Sequence, residues 1–129
     1  MNKIEEINIV LYIILSIVTF GFFYFYWQYR QMKQCNLLLG SEEHSMLKWF
    51  FLSLITFGIY HFYHEYLMSK DVIEIQEKYQ MKTNSKDYPM LCLIVSIFGF
   101  VLVSDFIHQE DLNKVIRKIN LDHIQIPLN

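Results

Sequence analysis

The stretch ILSIVTFGFFYFYWQYR runs from Ile14 to Arg30, and a near-copy, LSLITFGIYHFYHEYL, runs from Leu52 to Leu67. Both read Ser, two aliphatics, Thr-Phe-Gly, then a crowd of aromatics. Shifted by 37 residues, Leu15 falls on Leu52, Ser16 on Ser53, and Thr19-Phe20-Gly21 on Thr56-Phe57-Gly58. Tyr26 falls on Tyr63 and Lys33 on Lys70. A looser third copy, VSIFGFVLVSDFI, carries Ser96 and Phe98-Gly99, with a shorter gap between them. One domain of three units is expected, at about 8–39, 45–80 and 88–120.

Each copy sits in an apolar window. From Ile7 to Tyr29 no Asp, Glu, Lys or Arg occurs. As one helix that window is about 34 Å long, against a hydrocarbon core of about 30 Å. The windows Trp49–His64 and Tyr88–Ser104 are shorter, about 24 and 25 Å. They cross if flanking residues snorkel and the bilayer thins, or else are re-entrant or buried. Between Ile9 and Tyr26 only Ser16, Thr19 and Gly21 are not apolar, so the polar face of a soluble surface helix is missing. The expected fold is all-α: an integral membrane protein with three apolar segments, long helices projecting beyond the bilayer, and a C-terminal amphipathic helix. On that last helix Leu112, Val115, Ile116 and Ile119 share a face. Gly40-Ser41 reads as a helix stop and restart, and Pro89 as the first turn of the third helix.

Composition agrees. The chain has 129 residues, 53% hydrophobic and 19% charged, where a soluble domain is about a quarter charged. A net charge of −2 provides no basic face for nucleic acid. Cys35 and Cys92 make no disulfide framework. The opening MNKIEE lacks a basic start, and the run after it is too long for a cleaved leader. Three crossings would divide the Lys and Arg residues almost evenly between the two sides, so they set no orientation.

The doubled S-x-x-T-F-G-x-Y-x-x-Y pattern rests on Ser16, Thr19, Phe20, Gly21, Tyr26 and Trp27, then on Ser53, Thr56, Phe57, Gly58, Tyr60 and Tyr63. Gln109-Glu110-Asp111-Leu112-Asn113 closes it. In these features the chain resembles a bacterial membrane family catalogued as domain of unknown function 4234, over about residues 8–118. Phe23 departs from the Tyr usual after T-F-G-x, and His64 from the usual Trp. The resemblance implies architecture and a bacterial cytoplasmic membrane location, and no chemistry.

Physically, Ser16, Thr19, Gly21, Ser53, Thr56, Gly58, Ser96 and Gly99 are expected to mark helix-packing faces, because small residues let helices approach in lipid. Tyr24, Tyr26, Trp27, Tyr29, Tyr60, Tyr63 and Tyr66 are expected to form an interfacial belt. A kink at T-F-G lining a path is a second reading of the motif. If the first two windows both cross, the copies are inverted; if the copies share one direction, one of them is re-entrant.

Chemistry is thin. His61 and His64, with Glu65, are weak metal-ligand candidates, with His44, His108 or Asp105 as a third partner. The repeat offers a plainer reading, since His61 aligns with Tyr24 and His64 with Trp27. Asp105 and Glu65 read as end-of-span residues in water, with an ion or proton path as the alternative, and His44 and His123 as surface histidines. No catalytic set and no cofactor is expected. The functional expectation is a small non-enzymatic, multi-pass membrane protein acting through helix–helix association, as scaffold, sensor or accessory subunit. Its partners would be the lipid bilayer and either a second copy or another membrane protein. An oligomeric pore or transporter of inverted repeats is the alternative, and a metal-dependent enzyme a weaker one.

Overall fold

The apolar windows do not continue as single helices. In the computed structural model, which describes residues 3–122, each is cut in two at its Phe-Gly. α1 (Ile9–Val18) leads into α2 (Phe22–Leu39), α3 (Met46–Ile55) into α4 (Ile59–Lys78), and α5 (Tyr88–Ile97) into α6 (Val101–Asp122). The described residues are all-α, as expected. None of their helices is long and apolar enough to cross a membrane, so the first window is not the single crossing helix expected of it, and the other two do not cross as single helices either. The last residues, His123 among them, lie outside the described part.

The turn chemistry explains the cut. Thr19 Oγ1 donates to the Leu15 carbonyl (2.7 Å) and accepts from Phe23 N–H (2.9 Å), closing one helix and opening the next. Thr56 repeats both bonds with Leu52 and Tyr60 at the same distances. Between the helices Phe20 (φ 54°) and Gly21 (φ 92°) are left-handed, and Gly21 N–H reaches the Ser16 carbonyl at 2.8 Å. Phe57 (φ 54°) and Gly58 (φ 90°) repeat this, with Gly58 N–H on the Ser53 carbonyl at 2.7 Å. This is the helix-stopping geometry that glycine adopts without steric cost. In the third copy Gly99 is left-handed and Phe100 N–H bonds the Val95 carbonyl.

The glycines therefore serve the turn. A Cβ on Gly21, Gly58 or Gly99 would meet nothing within 4 Å, so no helix approaches there, a correction to their expected packing role. Ser16 is buried but bonds its own helix, at the Tyr12 carbonyl. Ser53 is partly buried. Ser96 does join two helices: its Oγ lies 2.9 Å from Ser104 Oγ, which donates to the Cys92 carbonyl.

Each short helix folds back on the long one after it. Tyr12 meets Phe23 and Trp27, Trp49 meets His61 and His64, and Cys92 meets Ser104. The long helices run side by side in one direction. Tyr24 touches His61 near their starts, and Lys78 and Tyr79 bond the Leu38 carbonyl near their ends. Gln28 meets Asp105, and Gln34 meets Gln109 farther along. The three hairpins are thus copies of one orientation, not inverted, and all three turns sit at one pole.

Toward the other pole the long helices bury Met32, Cys35, Leu38, Met68, Val72, Ile75, Leu112, Val115, Ile116 and Ile119 together. The C-terminal amphipathic stretch is therefore the second half of α6 and forms core; it is no separate surface helix. Residues 3–8 lie along α6 in extended form. Asn113 and Asn120 each bond both backbone groups of one residue there, Ile7 and Ile4 respectively. Gly40 ends α2 as expected, in a left-handed cap, but the next N-cap is Ser45 and not Ser41. Pro89 sits in the first turn of α5.

Candidate functional site

Two helical turns behind the Phe-Gly pole, α2, α4 and α6 bring Gln28, Glu65 and Asp105 together, each with 0% exposure. Gln28 and Glu65 correspond through the 37-residue shift, and Asp105 joins them from α6. Tyr24 Oη donates to Asp105 Oδ2 at 2.5 Å, and Gln28 Nε2 donates to Asp105 Oδ1 at 2.9 Å. The acids expected in water are thus the centre of the protein. The expectation failed because each acid was judged by the end of its apolar window, and that end lies inside the bundle.

The hydrogen bonds fix the histidine tautomers. An indole N–H can only donate, so Trp49 Nε1 (3.0 Å) makes His61 Nδ1 the acceptor. The proton of neutral His61 then sits on Nε2, which faces Tyr24 Oη at 2.9 Å and Glu65 Oε1 at 3.6 Å. The Ser69 hydroxyl donates to the Glu65 backbone carbonyl, so its oxygen accepts from His108 Nε2 at 2.6 Å. That leaves the His108 Nδ1 lone pair 3.3 Å from Glu65 Oε2. Neither Glu65 oxygen has a hydrogen bond of ordinary length.

Burial lifts the Glu65 carboxyl to about 8. Burial, and then the neighbouring Glu65, hold Asp105 well above the usual carboxylate range. Burial lowers His61. The low-dielectric setting thus favours two acids that carry protons over two carboxylates and a cation. Chemically, the cluster can store a proton and pass it among Tyr24, Asp105 and Glu65.

A metal fits poorly at this place. His61, Glu65 and Asp105 do offer ligand atoms within 4.8 Å of one another. Ligation needs the His61 Nε2 lone pair, while Trp49 already uses the other one. His64, the remaining expected ligand, points elsewhere; its ring lies edge-on to His44 at 5.5 Å.

The belt divides. Trp27 is fully buried, its Nε1 donating to Gln109 Oε1, and Tyr24 faces the cluster, so neither lies at a lipid interface. Tyr60 packs partly against the core. Tyr26, Tyr29 and Tyr63 are exposed, and Tyr66 is half-buried. Unanticipated members of the buried polar set are Gln28, Gln31, Gln34, Ser69 and Gln109. Gln109 is a hub: it accepts from Trp27 and Gln31 and donates to Gln34 and Asn113. This gives the closing Gln–Leu–Asn segment a structural reason. A cavity of about 550 Å³ opens beside the cluster, lined mainly by apolar side chains such as Phe20, Phe25 and Leu102, with Ser16, Tyr24 and His61 as its polar members.

A family profile described as Domain of unknown function (DUF4234) matches residues 7–47 and 44–109. The chain belongs to this family. The matched residues contain all three turns and Gln28, Glu65 and Asp105. Comparisons with curated proteins and with solved structures return no match.

Proposed function

We propose that this member of the family is a non-enzymatic membrane module seated in one leaflet of a bilayer, with its polar pole at the water surface. One observation carries the reading: three hairpin turns at the same pole, with Phe20, Phe57 and Phe98 exposed at 96%, 97% and 74%. Exposed aliphatics continue around the short arms, among them Val10, Ile14 and Ile17 on α1, Leu47, Leu54 and Ile55 on α3, and Leu91, Ile94 and Ile97 on α5. A contiguous apolar surface on this scale marks an interaction site.

Height selects the occupant. Each short arm has 10 residues, so each is about 15 Å long, half of a hydrocarbon core of about 30 Å. The level above is a headgroup girdle in two copies alike: Lys33 lies over the Tyr29 ring at 5.8 Å, and Lys70 over Tyr66 at 5.7 Å. None of the 11 Lys and Arg residues falls in an apolar window. With every hairpin dipping in from one side, they need not be shared between two faces.

A tryptophan at the tip tests the reading. In vesicles, Phe20→Trp should emit in the blue and be quenched by lipids labelled deep in the acyl chain, beyond the signal of buried Trp27 and Trp49. Quenching of the added signal by an aqueous quencher alone would count against lipid insertion. A second reading uses the cavity of about 550 Å³ as a lateral site for an apolar ligand whose polar group meets Tyr24 and His61. Saturable binding of such an amphiphile, lost in Tyr24→Phe, would support it. A pore of inverted repeats has no geometric basis here, because the copies run in one direction.

A further inference from the structure

A second cluster ties the loop after α2 to two helices at the polar end. Cys35 on α2, His44 in the loop and Asp71 on α4 each place a ligand atom within 4.8 Å of the others. Cys35 is buried, and the side chains of His44 and Asp71 are only 6% and 13% exposed. His44 Nε2 lies 2.5 Å from Asp71 Oδ2. This histidine was expected at the surface. Instead Asn36 pins its backbone from both sides, donating to the His44 carbonyl (2.8 Å) and accepting its N–H (3.0 Å). A cavity of about 100 Å³ adjoins the cluster, lined by His44, His64, Asp71 and Trp49 among others. His64 is buried and its Nε2 has no hydrogen-bond partner. Its ring lies 5.5 Å from that of His44, and both rings and Asp71 line this cavity.

We propose that Cys35, His44 and Asp71 bind a zinc ion, with His64 closing the fourth position from the cavity side. Thiolate, imidazole and carboxylate are zinc ligands, whereas calcium and magnesium take oxygen alone. One thiolate and one carboxylate neutralise the dication, so the buried site carries no net charge. At zinc bond lengths the ligand atoms of a tetrahedron stand about 3.3–3.7 Å apart. The His44 and Asp71 ligand atoms therefore separate by about 1 Å on binding, a movement their side-chain torsions can supply. The exposed residues Glu43 and Lys48 also line the cavity and give the ion a route from water. Asn36 touches no ion; it is a positioning residue for His44.

The test uses the full chain in mild detergent, stripped by a chelator and dialysed against zinc alone. One zinc per chain is expected. Cobalt in its place should show a thiolate-to-metal charge-transfer band. Cys35→Ser should abolish that band and weaken zinc beyond the roughly 10–100-fold that loss of an outer residue costs; Asn36→Ala should fall within that range. Asp71→Asn, nearly isosteric, decides the matter if Cys35→Ser does not fold, with helical circular dichroism as the control. Failure of the parent chain to hold zinc would overturn the proposal, as would unchanged affinity in folded Asp71→Asn. Loss of zinc in Glu65→Gln but not in Cys35→Ser would place the ion at the central acids and equally overturn it.

Discussion

Phe20→Asp combined with Phe57→Asp is expected to release the chain from membranes while leaving its fold intact. The two rings stand at the tips of the first two hairpins and touch almost nothing within the protein. Their removal therefore costs little internal packing. In a leaflet the same positions lie deepest. A charged side chain at hydrocarbon depth costs about 2.5–3.5 kcal/mol on insertion scales, and each lost phenyl contact with lipid adds about 1.5–3 kcal/mol. Even after partial protonation of the acids, the pair removes at least about 5 kcal/mol, more than a thousandfold in partitioning. Flotation with vesicles, beside a circular dichroism spectrum, checks both halves. A double variant that floats as well as the parent would take the apolar pole out of the bilayer.

The second large effect separates hydrogen bonding from charge at the centre. Asp105→Ala strands two buried donors, Tyr24 Oη and Gln28 Nε2, each at about 1–3 kcal/mol, so a loss of about 3–5 kcal/mol in stability is expected. Asp105→Asn keeps an acceptor for Tyr24, and its amide N–H can donate to the unpartnered Gln28 Oε1 once the Gln28 amide turns over, as the O–H of a protonated Asp105 would. It should cost only about 1 kcal/mol, the ordinary scale of one altered hydrogen bond. Unfolding by denaturant in a fixed detergent measures both. Equal losses for the two variants would mean that an ionised Asp105 holds the centre, contrary to the proton-sharing arrangement.

The sequence carried the hairpins in plain sight, in a form that hydropathy alone misreads. Charge-free runs specify where apolar side chains lie but not whether the backbone turns among them. The turn lies in the order Ser, Thr, Phe, Gly, where Thr caps both ways and Gly takes a left-handed conformation. Read as small residues for helix contact, Gly21 and Gly58 supported a span; read as helix stops, they make a hairpin. The helix ends at Gly40 and Pro89 were legible because their signals are local.

The site was half legible. Tyr24 with His61 and Trp27 with His64 pair amphipathic rings at matching repeat positions; they read as an interfacial belt, whereas the structure turns them inward beside Gln28 and Glu65, themselves a matched pair. Asp105 was hidden by register. Aligning the third copy on Gly99 sets Phe106 opposite Gln28 and Glu65. The hydrogen bond from Phe100 to Val95 shifts the third turn by one residue the other way, setting Ile107 there, so no register of the repeat points to Asp105; only its burial against Gln28 does. The cluster at Cys35, His44 and Asp71 joins residues from three elements and has no signature in local spacing.

Sidedness tests the single-leaflet account most directly. Glu42→Cys lies in the loop between the first two hairpins and Lys82→Cys in the loop between the second and third; both positions are exposed, and the native cysteines are buried. In sealed vesicles of defined orientation, an impermeant thiol reagent should label both from the same side and neither from the other, while Phe57→Cys stays protected until detergent is added. Labelling of positions 42 and 82 from opposite sides would mean that the second window crosses, and would contradict the account.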